Sequence, residues 1–274
     1  MAAVPAQQDR GDYVIDQEWS RYGEADHAVW RDLFMRQSKL LPGRACDEFL
    51  EGLNQLGVVA DRIPDFEALS TILQRATGWR IVAVPGLVPD DVFFRHLSER
   101  RFPATNWIRR RDQMDYLQEP DAFHDIFGHV PLLVNPVFGD YLAAYGRGGL
   151  KALRLDALHF LARLYWYTVE FGLIQTPAGL RIYGSGIVSS RGESRFCLES
   201  DRPKRIAFDL HRIMRTRYRI DDFQETYFVI DSFDQLFAAT APDFTPIYDE
   251  VRAMPEIAPG EVVAQDRVLP GPRH

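Results

Sequence analysis

A chain of 274 residues, 46% hydrophobic and 12% aromatic, holds enough apolar side chain for one large buried core or two small ones. Its formal charge of −7 lacks the basic excess that binding nucleic-acid phosphates requires, and its most apolar short run, 81–88, is too short to span a membrane and is split by Pro85. Two cysteines, Cys46 and Cys197, make no disulfide framework, and the acidic first thirty residues hold no signal-peptide run, so a cytoplasmic protein is expected.

Residues 1–20 are polar and aperiodic and read as a loosely held arm. From 25 to 56 the apolar spacing is helical: Trp30, Leu33 and Phe34 mark one helix. After the break at Leu41-Pro42-Gly43, Phe49, Leu50, Leu53 and Leu56 mark a second. A third short helix over 66–77 stops at Gly78, and the β-branched run 80–84 reads as a strand. Asp90 is expected to cap a helix over 91–101. A segment over 137–145 leads to a Gly-rich turn at 146–149, and the longest helix is expected over 150–172, striped by Leu153, Ala157, Phe160, Leu164 and Phe171. Further on, 180–183 is a strand, 184–186 a turn, 203–215 a helix, 227–230 a strand, and Ser232 caps a helix over 233–239. From Pro255 the chain is rich in Pro and Gly and reads as a disordered tail over 255–274. The expected fold is mainly α (α+β): one helix-rich domain over 21–254 with a few short β-strands.

The stretch 116–131 concentrates metal-capable side chains. His124 and His129 stand five apart among Glu119, Asp121 and Asp125. On an unbroken α-helix they would point about 140° apart. Gly128 and Pro131 suggest that the helix ends there, letting His129 swing back toward His124. A third ligand is expected from Glu170, because a carboxylate at the end of so apolar a helix is costly unless it pairs or binds a metal. Two histidines and one carboxylate make the facial triad of non-haem iron oxygenases. On spacing alone the alternative stays open that His124 and His129 are ordinary helix-end histidines and Glu170 a surface residue.

Four runs together resemble the pterin-dependent aromatic amino acid hydroxylases: 119–121 (Glu-Pro-Asp), 124–131 (His-Asp-Ile-Phe-Gly-His-Val-Pro), 164–173 (Leu-Tyr-Trp-Tyr-Thr-Val-Glu-Phe-Gly-Leu) and 183–193 (Tyr-Gly-Ser-Gly-Ile-Val-Ser-Ser-Arg-Gly-Glu). They fall in the family's order across its catalytic core. The chain is most similar to the short bacterial members that act on phenylalanine, which implies that family's catalytic-domain fold. It also implies a monomer, since the length leaves no room for the regulatory domain or the tetramerisation helix of the animal enzymes.

By resemblance, His124, His129 and Glu170 hold Fe(II). A tetrahydropterin and dioxygen supply the oxidant that converts L-phenylalanine to L-tyrosine at the para carbon. Phe93 falls where the family stacks a ring on the pterin, with Val88, Asp125 and Tyr165 on the same side. Asp90 departs from the small hydroxylated residue of animal members. Arg109 falls at the anchor for the substrate carboxylate, held by Asp121, and Ser189 lies near that carboxylate and the iron ligands. Trp166 walls the amino-acid pocket and argues against a tryptophan hydroxylase. Ile220 aligns with an apolar site that is Asp in tyrosine hydroxylases, and Leu117 replaces a threonine of the animal enzymes. Two other classes stand as alternatives: a zinc-dependent hydrolase using the same ligands, and a catalytically silent binding relative, against which the complete set of His124, His129 and Glu170 speaks.

Overall fold

The structure, a computed structural model, describes residues 11–115 and 117–271. Helix α1 (Glu24–Leu40) lays Trp30 and Leu33 into the core, and α2 (Asp47–Leu56) buries Phe49 and Leu56. Gly57 ends α2 in the left-handed conformation, the usual role of a glycine at a helix C-terminus. Helix α3 (Phe66–Ala76) is capped by the Asp65 carboxylate, which accepts from the backbone N–H groups of Glu67 and Ala68. Strand β1 (Arg80–Val84), α4 (Asp90–Ser98) and β2 (Arg101–Thr105) form a crossover unit in which β1 and β2 pair in parallel, Arg80 opposite Arg101. The helix expected over 91–101 is therefore shorter, its last residue giving way to a strand. Asp90 is its first residue rather than its cap, and its charge there complements the helix dipole.

Helix α5 (Pro136–Arg154) runs straight through the glycines where a turn was expected. Their role is close approach: a Cβ on Gly149 would fall 2.0 Å from the Phe94 ring, and one on Gly146 2.4 Å from the Ser98 nitrogen. Without side chains there, α5 lies directly on α4. The single helix expected over 150–172 is three pieces: the end of α5, then α6 (Leu158–Tyr165), then a π-helical turn (Trp166–Glu170). The break between α5 and α6 includes Asp156, at φ 49°.

Beyond it, β3 (Leu173–Thr176), β4 (Gly179–Ile182), β5 (Lys204–Ala207) and β6 (Thr226–Ile230) make a sheet of order β4-β3-β6-β5, with β3 and β4 antiparallel and the other pairs parallel. Between these strands lie α7 (Ser185–Val188), where only a turn was expected, α8 (Arg191–Glu199) and α9 (Leu210–Arg215). The run 203–215 is thus half strand and half helix. Helices α10 (Phe233–Thr240), capped by Ser232 as expected, and α11 (Thr245–Arg252) follow.

The described parts of the arm, 11–20, and of the tail, 255–271, differ from expectation, and residues 272–274 lie outside the described residues. In the arm, Ile15 donates to the Ala83 carbonyl at 2.9 Å and the Trp19 indole to that of Ile63 at 2.7 Å; residues 1–10 lie outside the described residues. In the tail, Ile257 is buried, Leu269 donates to the Arg205 carbonyl and Ala207 to that of Arg267, and Arg212 pairs with Asp266 at 2.8 Å, both side chains buried. A Pro- and Gly-rich composition signals irregular backbone, and an irregular backbone can still be held by side-chain contacts. Most of the buried apolar side chains form one cluster. Among the described residues no helix is long and apolar enough to cross a membrane.

Candidate active site and metal centre

The 124–129 segment is wound as a π-helix (His124–His129) that passes into a 3-10 turn (Val130–Val134). In a π-helix each N–H bonds the carbonyl five residues back, so residues five apart share a face. This winding, and not a helix end at Gly128, brings the two imidazoles together. Gly128 lies inside the turn, where a Cβ would come 3.0 Å from the Ser185 carbonyl oxygen, so α7 seats directly against it. Aromatic packing fixes the turn from the other side. Phe123 stacks on Phe127 at 4.7 Å, Trp30 and Phe34 of α1 meet their edges at 5.3 and 5.6 Å, and Phe49 of α2 meets Phe127 at 5.9 Å. The second π-turn, closed by the Phe171 N–H on the Trp166 carbonyl at 2.8 Å, delivers Glu170 to the same point.

There, His129 Nε2 lies 3.1 Å from His124 Nε2 and 3.2 Å from Glu170 Oε1, and His124 Nε2 lies 3.6 Å from Glu170 Oε2. Among the described residues, these three form the one group of histidine, cysteine and carboxylate side chains able to hold a metal. Separations of this size suit three ligand atoms on one face of an octahedron about an ion ~2.1 Å from each. The protonation states also fit. Burial pushes the His124 imidazolium down to about 4, which leaves a neutral ring at neutral pH. For Glu170 burial works against the charge, and the two imidazoles and the Ser185 hydroxyl outweigh it, holding the carboxyl down at about 2.

The surroundings fix the orientation of each ligand. Ser189 Oγ donates its single proton to the Ser185 carbonyl at 2.7 Å, so at 3.0 Å from His124 Nδ1 it accepts. The ring proton therefore sits on Nδ1, and the Nε2 lone pair faces the centre. Ser185 Oγ lies 2.9 Å from Glu170 Oε2 and 3.0 Å from the Val169 carbonyl, orienting the carboxylate.

A cavity of about 620 Å³ opens over the triad, with Arg109, His124, Trp166, Glu170, Ser189 and Gln224 in its walls and Leu117 and Ile220 among its lining residues. Arg109 is buried and locked to Asp121. Burial favours the neutral acid at Asp121, but the guanidinium and the N–H groups of Arg109 and His124 outweigh it and hold the carboxyl below its usual range. Of the expected metal and substrate residues, Arg109, His124, Trp166, Glu170 and Ser189 line this one space, and His129 and Asp121 contact it only through their partners.

Of the expected pterin residues, Phe93 and Tyr165 lie together on the His129 side. Phe93 meets Tyr165 edge-on at 5.9 Å, Tyr165 lies 6.3 Å from the His129 ring, and Val88 is half-buried just ahead of α4. Asp125 accepts from the Thr105 N–H at 2.7 Å, and burial raises its carboxyl to about 7. Three participants were not singled out from the sequence: Ser185, Glu193 and Gln224. The first two lie inside the 183–193 run, whose density of small and polar residues was the available signal; Gln224 had none.

The sequence profile of the biopterin-dependent aromatic amino acid hydroxylases matches residues 8–243. The phenylalanine-4-hydroxylase of Ralstonia nicotianae is 67% identical over 260 residues, spanning 95% of this chain and 83% of its own. That of Chromobacterium violaceum is 64% identical over 261 residues, spanning 95% and 88%. A solved structure of phenylalanine hydroxylase from Chromobacterium violaceum with iron and phenylalanine bound superposes with a TM-score of 0.92 at 62% identity over 95% of each chain. Its cobalt-bound form gives 0.94 at 64% identity over 96% and 95%. With a triad of this geometry and a match over nearly the whole chain, the protein belongs to the biopterin-dependent aromatic amino acid hydroxylase family.

Proposed function

We infer that the chain is a phenylalanine 4-monooxygenase, converting L-phenylalanine to L-tyrosine with dioxygen and a tetrahydropterin at a mononuclear Fe(II) site. The observation that carries this reading is the convergence of His124, His129 and Glu170, with His124 and Glu170 in the wall of a cavity that also holds a buried, forked Arg109. In its favour stand the relatives named phenylalanine-4-hydroxylase and the related structure holding iron and phenylalanine.

His124, His129 and Glu170 would hold the iron. Bound there, and with the pterin as the two-electron donor, it would supply the activation of dioxygen. The protein's own residues do the positioning. Arg109 uses Nε and Nη2 on Asp121, which turns the remaining Nη1 end to the substrate carboxylate. Ser189 keeps the His124 lone pair on the metal side and lines the carboxylate end of the cavity. Trp166 walls the ring. Ile220, among the lining residues, stands where tyrosine hydroxylases carry an Asp, which favours phenylalanine over tyrosine. Phe93, with Val88, Asp125 and Tyr165, takes the pterin. We place the enzyme in the cytoplasm, where the buried free thiols of Cys46 and Cys197 would stay reduced.

The test is reconstitution with Fe(II), a tetrahydropterin and air, with phenylalanine, tyrosine and tryptophan side by side. Tyrosine formed from phenylalanine only with all components present is the expected result. No tyrosine after anaerobic loading followed by aeration, or activity with zinc and no pterin, would sink the reading.

A further inference from the structure

We propose that Gln224, which no comparison assigns a role, is a positioning residue that fixes the indole of Trp166 and through it the placement of the substrate ring. The proposal rests on the phenylalanine-hydroxylase reading of the cavity.

Trp166 packs on two rings, Phe171 at 4.8 Å and tilted and Tyr218 face to face, and makes one hydrogen bond. Its face stacks on Tyr218, with centroids 4.4 Å apart and planes 17° from parallel, and its Nε1–H donates to Gln224 Oε1 at 2.9 Å. Stacking is tolerant of in-plane sliding and rotation, whereas a hydrogen bond along the indole N–H is directional. The bond to Gln224 therefore decides where along the Tyr218 face the ring stops.

Gln224 is itself buried, and its amide has only one workable orientation. Nε2 donates to the Arg219 carbonyl at 2.9 Å and approaches that of Asp222 at 3.4 Å, so the nitrogen must face the loop and the oxygen the indole. Its backbone N–H donates to Glu193 Oε1 at 3.1 Å, and the same oxygen accepts from the Tyr227 hydroxyl. A chain of hydrogen bonds thus runs from β6 through α8 and the 219–224 loop to the turn that carries Glu170. The same loop carries Ile220 and Phe223, both exposed at the cavity. One amide ties the wall of the ring pocket to its rim.

The test uses Gln224→Met, similar in length but without the acceptor, with Trp166→Phe and the double variant. In iron-loaded enzyme Gln224→Met should raise the phenylalanine KM about tenfold, the scale of one lost buried hydrogen bond. It should also lower the tyrosine formed per tetrahydropterin oxidised. In the Trp166→Phe background, which has no indole N–H, adding Gln224→Met should change both by less than about twofold, the non-additivity expected of direct partners.

The metal-free proteins give a readout independent of catalysis. Gln224→Met should alter the near-UV circular dichroism of wild type and leave that of Trp166→Phe unaltered. Should Gln224→Met not fold, Gln224→Asn keeps an amide for the loop carbonyls while withdrawing from the indole, and should show the same pattern. Unchanged KM and coupling, or equal effects in both backgrounds, would overturn the proposal. A wild type that makes no tyrosine would defeat the functional reading alone, because the dichroism cycle still reports on the Trp166–Gln224 pair.

Discussion

Arg109 and Asp121 meet as a two-pronged pair, Nε on Oδ2 and Nη2 on Oδ1, each at 2.8 Å, with both side chains buried. Asp121 also accepts the backbone N–H of Arg109 at 2.9 Å and that of His124 at 3.0 Å, so one carboxylate organises the proposed substrate anchor and the start of the histidine turn. Arg109→Lys keeps the charge and loses the fork. It should raise the phenylalanine KM by on the order of tenfold with kcat less affected, as steady-state kinetics would show. Asp121→Ala strands a buried guanidinium and should cost about 3–5 kcal/mol of stability, measured by denaturant unfolding. An unaltered KM in the lysine variant would return Arg109 to a purely structural role.

Glu170→Ala removes the single charged ligand of the triad and should abolish iron retention through gel filtration, with the far-UV spectrum unchanged. Ser189→Ala leaves all three ligands but releases His124 from its fixed tautomer. Its iron affinity, measured by competition with a chelator, should fall about 10- to 100-fold, the usual effect of losing a partner behind a metal-binding imidazole. Full iron occupancy in Glu170→Ala would remove that residue from the ligand set.

Most of the site's composition was legible in the sequence, and most of its geometry was not. The helical stripes of α1 to α3 and the strands β1 and β6 follow from local apolar period, which is a property of neighbours in sequence. The two π-turns do not. A π-turn forms because tertiary packing favours the wider winding, and here the Phe123–Phe127 stack and the contact of α7 with Gly128 supply that packing. The five-residue spacing of His124 and His129 carried the trace of it, and was read as a helix end because Gly and Pro usually signal one. Gly146 and Gly149 misled in the same way. They are glycines for the sake of Phe94 and Ser98, more than forty residues away in sequence, and no local pattern reveals such a neighbour.

Glu193 should give the protein a pH-dependent stability. Burial raises its carboxyl from 4.5 to about 7, against the hydrogen bonds from Tyr227 and the Gln224 N–H, which favour the charged form. A carboxyl raised in the fold binds its proton more tightly there than in the unfolded chain. Its stabilising contribution is complete below pH 4.5 and is lost as pH rises through 7, a change of about 3 kcal/mol. Glu193→Gln keeps an acceptor and cannot ionise. Wild type should therefore lose stability relative to this variant between pH 5 and pH 8, in paired urea titrations at each pH. Parallel curves would mean that Glu193 titrates normally.

The segment 255–271 should prove necessary to both the fold and the substrate pocket. Arg212 is buried, and its charge is met from this segment: Asp266 Oδ1 lies 2.8 Å from Nε, and the Glu261 carbonyl accepts from Nη2 at 2.6 Å. Its Nη1 reaches the Thr216 hydroxyl, and the Arg217 N–H donates to the Ile257 carbonyl at 3.0 Å. These contacts hold the start of the loop that carries Tyr218, Ile220 and Gln224. Removing residues 255–274 leaves the guanidinium buried without its partner, a loss of about 3–5 kcal/mol, and exposes the apolar surface that Ile257 covers. For a domain of this size the melting temperature should fall by on the order of 10 °C. Asp266→Asn, which keeps the hydrogen-bonding shape and removes the charge, should fall by less. The truncated protein, assayed well below its melting temperature, should still retain iron, because among the described residues no hydrogen bond or ion pair of the triad comes from the tail, while its phenylalanine KM rises. A truncated enzyme with an unchanged melting temperature and KM would mean that the tail merely covers the surface and does not brace the loop.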